Sequence, residues 1–567
     1  MMKPADLAGA ADESTGVGTR GRIVLYDTTL RDGAQTQGVD FSLLDKQVIA
    51  AELDRLGIDY IEGGWPGANP TDDAFFANPL PFRHARLTAF GTTRRPGRSA
   101  SNDSSLRAVL GAGTQAVCLV GKASDLAAEL ALGVTPAENL DLIGSAIAEA
   151  AAGEREVLFD AEHFFDGYLR NPGYALSCLR RARQEGAAWL VLCDTNGGTL
   201  PEQIWAIVKE VVAALPGAAI GIHTHNDTET AVSGSLAAVA AGARMIQGTL
   251  NGLGERCGNA NLTALIPSLM LKLGYRTGVS DEGLRRLTEV SRMLDERLNR
   301  TPNPHAAYVG ENAFAHKAGL HAAAVTRNSS TYEHIAPARV GNSRQVLVSN
   351  QAGRANLVNR LGQLGFVLQA DDPRITTLVE QVKLREFDGW AYDGAEASFE
   401  LLARRTLDEM PARFEIVSVR ATEIRRWNAQ GELIALCNAA VEVEIDGKYK
   451  LAAAEGEDML EVMDDAFRRV LLPRFPELAG MRLAGCRTRN LIRQEGAKPV
   501  TRVLIESHDA DVPALGRWST IGVSTDSVDA TLIALRDAIT YRLLQGNRPA
   551  LLCASEDPAR MWKVASV

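Results

Sequence analysis

The chain has 567 residues, with 60 Lys+Arg against 70 Asp+Glu and a net charge of −10. That balance argues against a general affinity for nucleic acid and supplies no polybasic membrane anchor. No apolar run reaches the roughly 18–20 residues of a membrane span, and 46% apolar with 23% charged residues is ordinary for a globular protein.

A single core rarely grows past about 250–300 residues, so more than one domain is expected. Residues 1–20 have no apolar core and carry acidic residues; they read as a disordered tail and not as a signal or transit peptide. Seven scattered cysteines without a CxxC pair fit a reducing, cytoplasmic setting, most of them as small buried apolar residues.

From Ile23 onward, short β-type runs alternate with helical patterns. The runs begin at Ile23, Asp59, Ala85, Ala116, Glu156, Ala188, Ala219 and Ala243. Between them lie stretches such as SLLDKQVIAAELDRLG with apolar residues at helical spacing. Alternation of this kind implies a parallel sheet. Eight units within about 250 residues is the size of a (β/α)8 TIM barrel, expected over 21–290; an open doubly wound sheet is the competing reading. Residues 291–410 show helical patterns without regular strands and read as a helical linker region. Residues 411–545 turn to strands followed by two amphipathic helices, an α+β regulatory or dimerisation domain, and 546–567 form a tail. Asp458–Leu460 with Val470–Leu471 echoes Asp526–Val528 with Ala538–Ile539 at a constant offset, which suggests a duplicated strand–strand–helix unit.

Catalytic side chains of a barrel sit at the carboxyl ends of its strands. The first strand ends in DTTLRDGAQ, with Asp27, Arg31 and Asp32 close together and Gly33 permitting an unusual turn. Arg31 and Asp32 could be an electrophilic guanidinium beside a metal ligand, or an exposed ion pair. The seventh ends in HTHND; residues i and i+2 of a strand share a face, so His223 and His225 project together, as two imidazoles on one ion would. Two His and a carboxylate leave positions open for a chelating oxygen substrate. On the fifth strand Asp160 and Glu162 share a face opposite Phe159 and Ala161; either a general acid or base or a structural carboxylate fits. The sixth ends in DTNGGTLP, where Thr195 could donate to a substrate carboxylate and Gly197–Gly198 admit a ligand or simply turn the chain. After the eighth, NGLGERCGNANL could bring Asn259 back to the metal or bind phosphate through backbone N–H groups. Cys257 has no evident basic partner there. His316 and His321 in FAHKAGLHAAAV do not share a helix face, and Tyr332 follows them.

LYDTTLRDGAQ, HTHND, NGLGERCGNANL and FAHKAGLHA, in this order, resemble the acyl-CoA-condensing metalloenzymes that include 2-isopropylmalate, homocitrate and citramalate synthases. The resemblance spans nearly the whole chain, and IEGGWPGANP and RWSTIGVS look closest to the long citramalate synthases. It implies a catalytic barrel, a helical linker and a C-terminal regulatory domain in a homodimer. It also implies roles. Asp32, His223, His225 and Asn259 hold a divalent metal, and Arg31 assists the substrate carbonyl. Glu162 is the essential carboxylate and Thr195 contacts the substrate carboxylate. His321 and Tyr332 are linker residues that reach an active site, in family dimers often the partner's; His316 has no role by this match. Ala34 replaces a larger polar residue, and DTNGG departs from the DTVG of isopropylmalate synthases, which favours a small keto acid.

The implied reaction is pyruvate + acetyl-CoA + water → citramalate + CoA, with His321 as base supported by Glu162 and Tyr332, and isoleucine as the regulator of the C-terminal domain by family analogy. Mg2+ or Mn2+ suits an oxygen-rich open site, and two imidazoles also suit Zn2+. The alternatives within the class are 2-isopropylmalate or homocitrate synthesis. Outside it stand an aldol-type lyase on the same barrel, a His-x-His metallohydrolase, whose pair would sit on the first strand, and an amino-acid sensor with a degenerate barrel.

Overall fold

The computed structural model describes residues 20–546 apart from 79, 154, 317–320, 322–323, 326, 347–353, 367, 369–371, 408–409, 411–412, 428–429 and 492–498. The two tails expected from the sequence lie outside the described residues except for Arg20 and Gly546. Two compact units are present. One runs to Phe314 and includes Glu333–Arg344; the other comprises Ala315–Tyr332 and the chain from Gln345 onward.

In the first unit, eight parallel strands close into a barrel: β1 (Val24–Asp27), β2 (Tyr60–Gly64), β3 (Arg86–Thr92), β4 (Ala116–Lys122), β5 (Glu156–Glu162), β6 (Trp189–Asp194), β7 (Ala219–Thr224) and β8 (Met245–Gly248). Each of the eight sequence runs supplies one strand, and β8 closes on β1 through pairs from Val24–Met245 to Asp27–Gly248. An open sheet is thereby excluded. Alternation sorts the side chains. Leu25, Ile61, Phe159, Leu192 and Ile222 face the surrounding helices, while Tyr26, Cys118, Leu158, Val191 and Met245 fill the barrel's interior.

The helices begin where local chemistry says they should. Leu43–Leu56 opens on a Ser42/Asp45 capping box and stops at Gly57, in the left-handed region at φ 98°. Pro136–Ala151 starts with a Thr135/Glu138 box and proline in its first turn. Ser104–Gly111 is capped by Asp103, whose carboxylate accepts from the backbone N–H of Ser105 and Leu106 and from Arg95. Burial pushes this carboxyl up, but the hydrogen bonds outweigh burial and bring it down to about 2. A depressed folded-state pKa stabilises above the unfolded value of about 3.9 and loses its effect as pH falls toward 2. Asp103→Ala is therefore expected to cost about 1–2 kcal/mol at pH 7, and the gap to the parent should narrow below about pH 4. Urea-unfolding midpoints of both proteins from pH 7 to pH 3 check this.

The second unit contains two antiparallel sheets, each backed by a helix. The first is β11 (Glu415–Trp427), β12 (Leu433–Ile445) and β13 (Lys448–Gly456), followed by helix Met459–Leu471. The second is β14 (Met481–Leu491), β15 (Val500–Asp509) and β16 (Arg517–Ser524), followed by helix Ser527–Gln545. The duplicated unit thus has three strands where the sequence suggested two. CNAAVEVEIDGKYKLAAAE is a hairpin turning at Asp446 and Gly447, both at positive φ, and the largely exposed β14 lacks a clear apolar rhythm. Both halves carry a register shift in the same place, between Ile416 and Ser418 and between Leu483 and Gly485. Both helices are capped by an aspartate, Asp458 and Asp526. The facing sides of the sheets and the two helices share one core that includes Val441, Phe467, Ile505 and Leu535.

The helical stretch read as a linker does not end as a separate layer. Helices Pro373–Phe387 and Glu396–Thr406 pack onto the other side of the second sheet, where Leu378, Phe399 and Leu402 meet Ile521, Leu504 and Val523. A short parallel pair, β9 (Ala315–His316) and β10 (Gln345–Val346), is the one strand pairing in this stretch among the described residues. Among the described residues no helix is long and apolar enough to cross a membrane. All six described cysteines are free; Cys118, Cys178, Cys193 and Cys437 are buried, Cys257 and Cys486 exposed.

Candidate active site

The carboxyl ends of the barrel strands bring three donor groups together. Asp32, just past β1, places Oδ2 3.4 Å from His223 Nε2 and 3.8 Å from His225 Nε2. The two histidines leave β7 on the same face, and their Nε2 atoms stand 3.1 Å apart. All three groups are buried or nearly so.

The outer ring atoms explain the orientation. His223 Nδ1 lies 2.8 Å from Gln247 Oε1 on β8, and His225 Nδ1 lies 2.7 Å from the Thr195 carbonyl after β6. A proton on Nδ1 suits both acceptors, and Arg256 Nη2 also stands 2.9 Å from His225 Nδ1. The two Nε2 lone pairs then face each other and a carboxylate oxygen, an arrangement that calls for a cation between them.

Asn259 completes the cluster. Its Nδ2 donates to Asp32 Oδ2 at 2.6 Å, while its Oδ1 is buried with no partner. A buried amide oxygen left unpaired is costly unless something is meant to meet it. The glycine-rich loop after β8 exists to carry this residue. A Cβ on Gly254 would lie 1.9 Å from Asn259 Oδ1, and one on Gly258 would lie 2.0 Å from the Gly252 carbonyl. Backbone bonds from Ala260 to Thr224 and from Asn226 to Gly258 tie the loop to the end of β7. Carboxylate, two imidazoles and an amide oxygen form a donor set that fits a divalent cation, and the orphaned Oδ1 supports that fit.

Arg31 is a largely covered neighbour of this cluster, 13% exposed, which removes the exposed-pair reading. Its Nη1 lies 3.0 Å from Asp32 and its Nε 2.6 Å from Glu62 on β2, and its guanidinium stacks 3.8 Å over the Phe90 ring. Burial would lift the Asp32 carboxyl, but Arg31 and the two imidazoles hold it well below the usual carboxylate range. Burial lowers His223 to about 4. Burial opposes charge on His225, yet the hydrogen bond and charge of Asp32 prevail and raise it. Gly33 has no unusual turn. It sits in a short 3-10 segment, and a Cβ there would come within 3.2 Å of Leu253, so close packing is the reason for glycine. Asp27 anchors the same turn by accepting from Thr29 N–H and hydroxyl.

Glu162 ends β5 and forms an ion pair with Lys122 at the end of β4. The Thr195 hydroxyl accepts from the His163 backbone N–H at 2.8 Å, which leaves its own proton to donate. Gly197, at φ 60°, leaves no room for a side chain beside Asp227, so it serves the turn. Asp160 points inward and accepts from Gln247 Nε2 at 2.8 Å; burial pushes its carboxyl up to about 7. His321 and Tyr332 belong to the second unit, where their rings stack with centroids 4.2 Å apart and both side chains are exposed. His316 is buried in β9.

Three groups escaped the sequence reading. Glu62 is buried between Arg31 and Tyr26, whose hydroxyl donates to it at 2.6 Å, and Gln247 and Lys122 are the other two. A fully buried glutamate in DYIEGG and a glutamine in ARMIQGT interrupt otherwise apolar strands. That interruption was the available signal.

The HMGL-like family matches residues 22–293, the homocitrate synthase post-HMGL domain-like family 308–386, and the LeuA allosteric (dimerisation) domain 393–543. The (R)-citramalate synthase of Aquifex aeolicus is 44% identical over 533 residues, covering 94% of this chain and 99% of its own. That of Streptomyces coelicolor is 45% identical, covering 93% and 98%. The 2-isopropylmalate synthase of Heliobacterium modesticaldum is 31% identical over 367 residues, 64% of this chain and 70% of its own. Barrel, site and domain order together define an acyl-CoA-condensing enzyme of the 2-isopropylmalate and homocitrate synthase type. Within that class the chain belongs to the (R)-citramalate synthase family.

Proposed function

We propose that this enzyme condenses acetyl-CoA with pyruvate and water to give (R)-citramalate and CoA. The observation that carries the chemistry is the convergence of the Asp32 carboxylate with the His223 and His225 Nε2 atoms beside Arg31. Full-length similarity at 40–45% identity to five (R)-citramalate synthases supports the choice of keto acid.

Asp32, His223, His225 and Asn259 would hold Mg2+ or Mn2+, with Zn2+ also compatible with the imidazoles. When bound, the cation supplies Lewis-acid activation of the 2-keto acid. Arg31, clamped by Glu62 and Phe90, donates to the keto oxygen as negative charge grows on it. The Thr195 hydroxyl, already positioned by His163 N–H, donates to the substrate carboxylate. Glu162, oriented by Lys122, serves in the proton network of the reaction, and His321, stacked on Tyr332, removes a proton from the acetyl methyl. The resulting enolate attacks the keto carbon, and hydrolysis of the thioester releases CoA and makes the sequence irreversible.

Residues 21–290 would carry catalysis, 291–410 the linker and 411–545 regulation. Homodimerisation through the last is supported by the LeuA-type match. It is also supported by the outer face of the first sheet, where Tyr449 and Leu451 are 67% and 70% exposed, while helices cover the corresponding face of the second. Isoleucine is the proposed regulator, a product-end signal for an enzyme of amino-acid biosynthesis, and the enzyme is placed in the cytoplasm.

Chiral analysis of the product formed from acetyl-CoA and pyruvate tests the reaction: (R)-citramalate is expected, and failure to form it, with product from 2-oxoisovalerate instead, removes the assignment. For the base, mixing inactive Arg31→Ala and His321→Ala proteins is expected to restore up to about a quarter of parental activity, because one of the two shared sites in a mixed dimer is whole. Absence of any recovery would refute sharing across the dimer.

A further inference from the structure

The inner wall of the barrel contains a hydrogen-bonded chain that the proposed reaction does not use. His223 Nδ1 meets Gln247 Oε1 at 2.8 Å, and Gln247 Nε2 meets Asp160 Oδ1 at 2.8 Å. Gln247 is fully buried, Asp160 3% exposed and His223 6% exposed. The three residues come from β8, β5 and β7, and β5 is not a neighbour of β8, so the chain crosses the barrel interior to reach the His223 ring.

A primary amide has one end that only accepts and one end that only donates. Which end faces His223 therefore decides where the imidazole proton sits. If the oxygen faces it, the proton is on Nδ1 and Nε2 has a free lone pair. If the NH2 faces it, Nδ1 must accept, the proton moves to Nε2, and His223 can no longer ligate through that atom. Nothing about His223 itself settles the choice. Asp160 settles it when ionised, because its carboxylate can only accept and so takes the donating end of the amide, from Nε2 at 2.8 Å. That turns the oxygen toward His223.

We propose that Gln247 and Asp160 are positioning residues that fix His223 as the Nδ1–H tautomer and so keep its Nε2 free for a divalent cation. This rests on the metal reading of the Asp32–His223–His225 cluster and assigns a function to the fifth-strand carboxylate that the sequence left open between catalysis and structure. Thr195 gives His225 the same service through a backbone carbonyl, which has no second orientation to guard against. Only His223 depends on a side chain that could flip, and only its partner has an anchor.

Two measurements on the full-length, chelator-treated protein test this. With 15N-labelled histidine, the ring nitrogens of His223, assigned by their loss in His223→Gln, are expected to show the proton on Nδ1; a proton on Nε2 overturns the proposal without any variant of Gln247. In Gln247→Met, which keeps length but lacks the acceptor, Mn2+ titration is expected to show binding 10–100-fold weaker than the parent at a parental melting temperature. Binding within about twofold of the parent overturns the proposal. If the parent itself binds no Mn2+, the metal reading falls and this inference with it; parental binding that Gln247→Met leaves intact refutes the inference alone.

Discussion

Asp32→Asn is expected to weaken Mn2+ binding by at least about 100-fold and to leave CoA release near background, while the fold and its melting temperature stay close to those of the parent. Second-sphere changes at metal sites already cost about 10–100-fold, and Asp32 is the charged donor of the set. Its carboxylate faces both imidazoles and the Asn259 amide. Asparagine keeps the shape and a neutral oxygen, so the loss reports charge. The same change should relax His225, whose raised pKa depends on Asp32 once burial has been overcome. Its imidazole is then expected to titrate lower, which histidine NMR in the chelated protein can follow. Normal turnover of Asp32→Asn at saturating metal would remove Asp32 from the site.

Arg31→Met should act on a different step. Removing one preorganised donor to developing charge typically costs about 100–1000-fold in kcat. Arg31 is held on three sides, by Glu62, Asp32 and Phe90, so little of its position has to be found during the reaction. A fall of that size in kcat with metal affinity changed by less than about tenfold is expected, and Arg31→Lys should recover only part of it, because lysine cannot meet Glu62 and the substrate with a fixed fork. An equal fall in metal affinity would instead make Arg31 a support for Asp32. Steady-state kinetics and Mn2+ titration on the same preparations separate the two.

Much of the barrel could be read in the sequence because its physics is periodic. Each of the eight runs is largely buried on both sides, and each is followed by a helical segment, so the alternation survives in one dimension. The pairing of His223 with His225 was legible for the same reason: two residues on one strand share a face. The meeting of Asp32 with Asn259 was not legible from spacing, since it depends on barrel closure and on a loop whose glycines admit Asn259; only the resemblance pointed to it. Glu62 and Gln247 lay in plain view as polar interruptions of buried strands, but polar residues inside a strand also serve structure, and which they do is decided by neighbours brought from β1, β5 and β7. In the C-terminal unit, β14 is exposed along most of its length, and exposure removes the apolar rhythm on which strand recognition depends.

In the proposed mechanism the Asp32–His223–His225 cluster activates a small 2-keto acid for attack by the acetyl-CoA enolate. Thiol-detected CoA release, run with pyruvate, 2-oxoisovalerate and 2-oxoglutarate on chelated enzyme before and after Mg2+ or Mn2+ is restored, tests it most directly. No release is expected from chelated enzyme, with recovery on restoring metal and a preference for pyruvate of at least about tenfold over 2-oxoisovalerate, whose two extra methyl groups must be refused by shape alone. Undiminished release from fully chelated enzyme, or a preference for either larger keto acid, would contradict it.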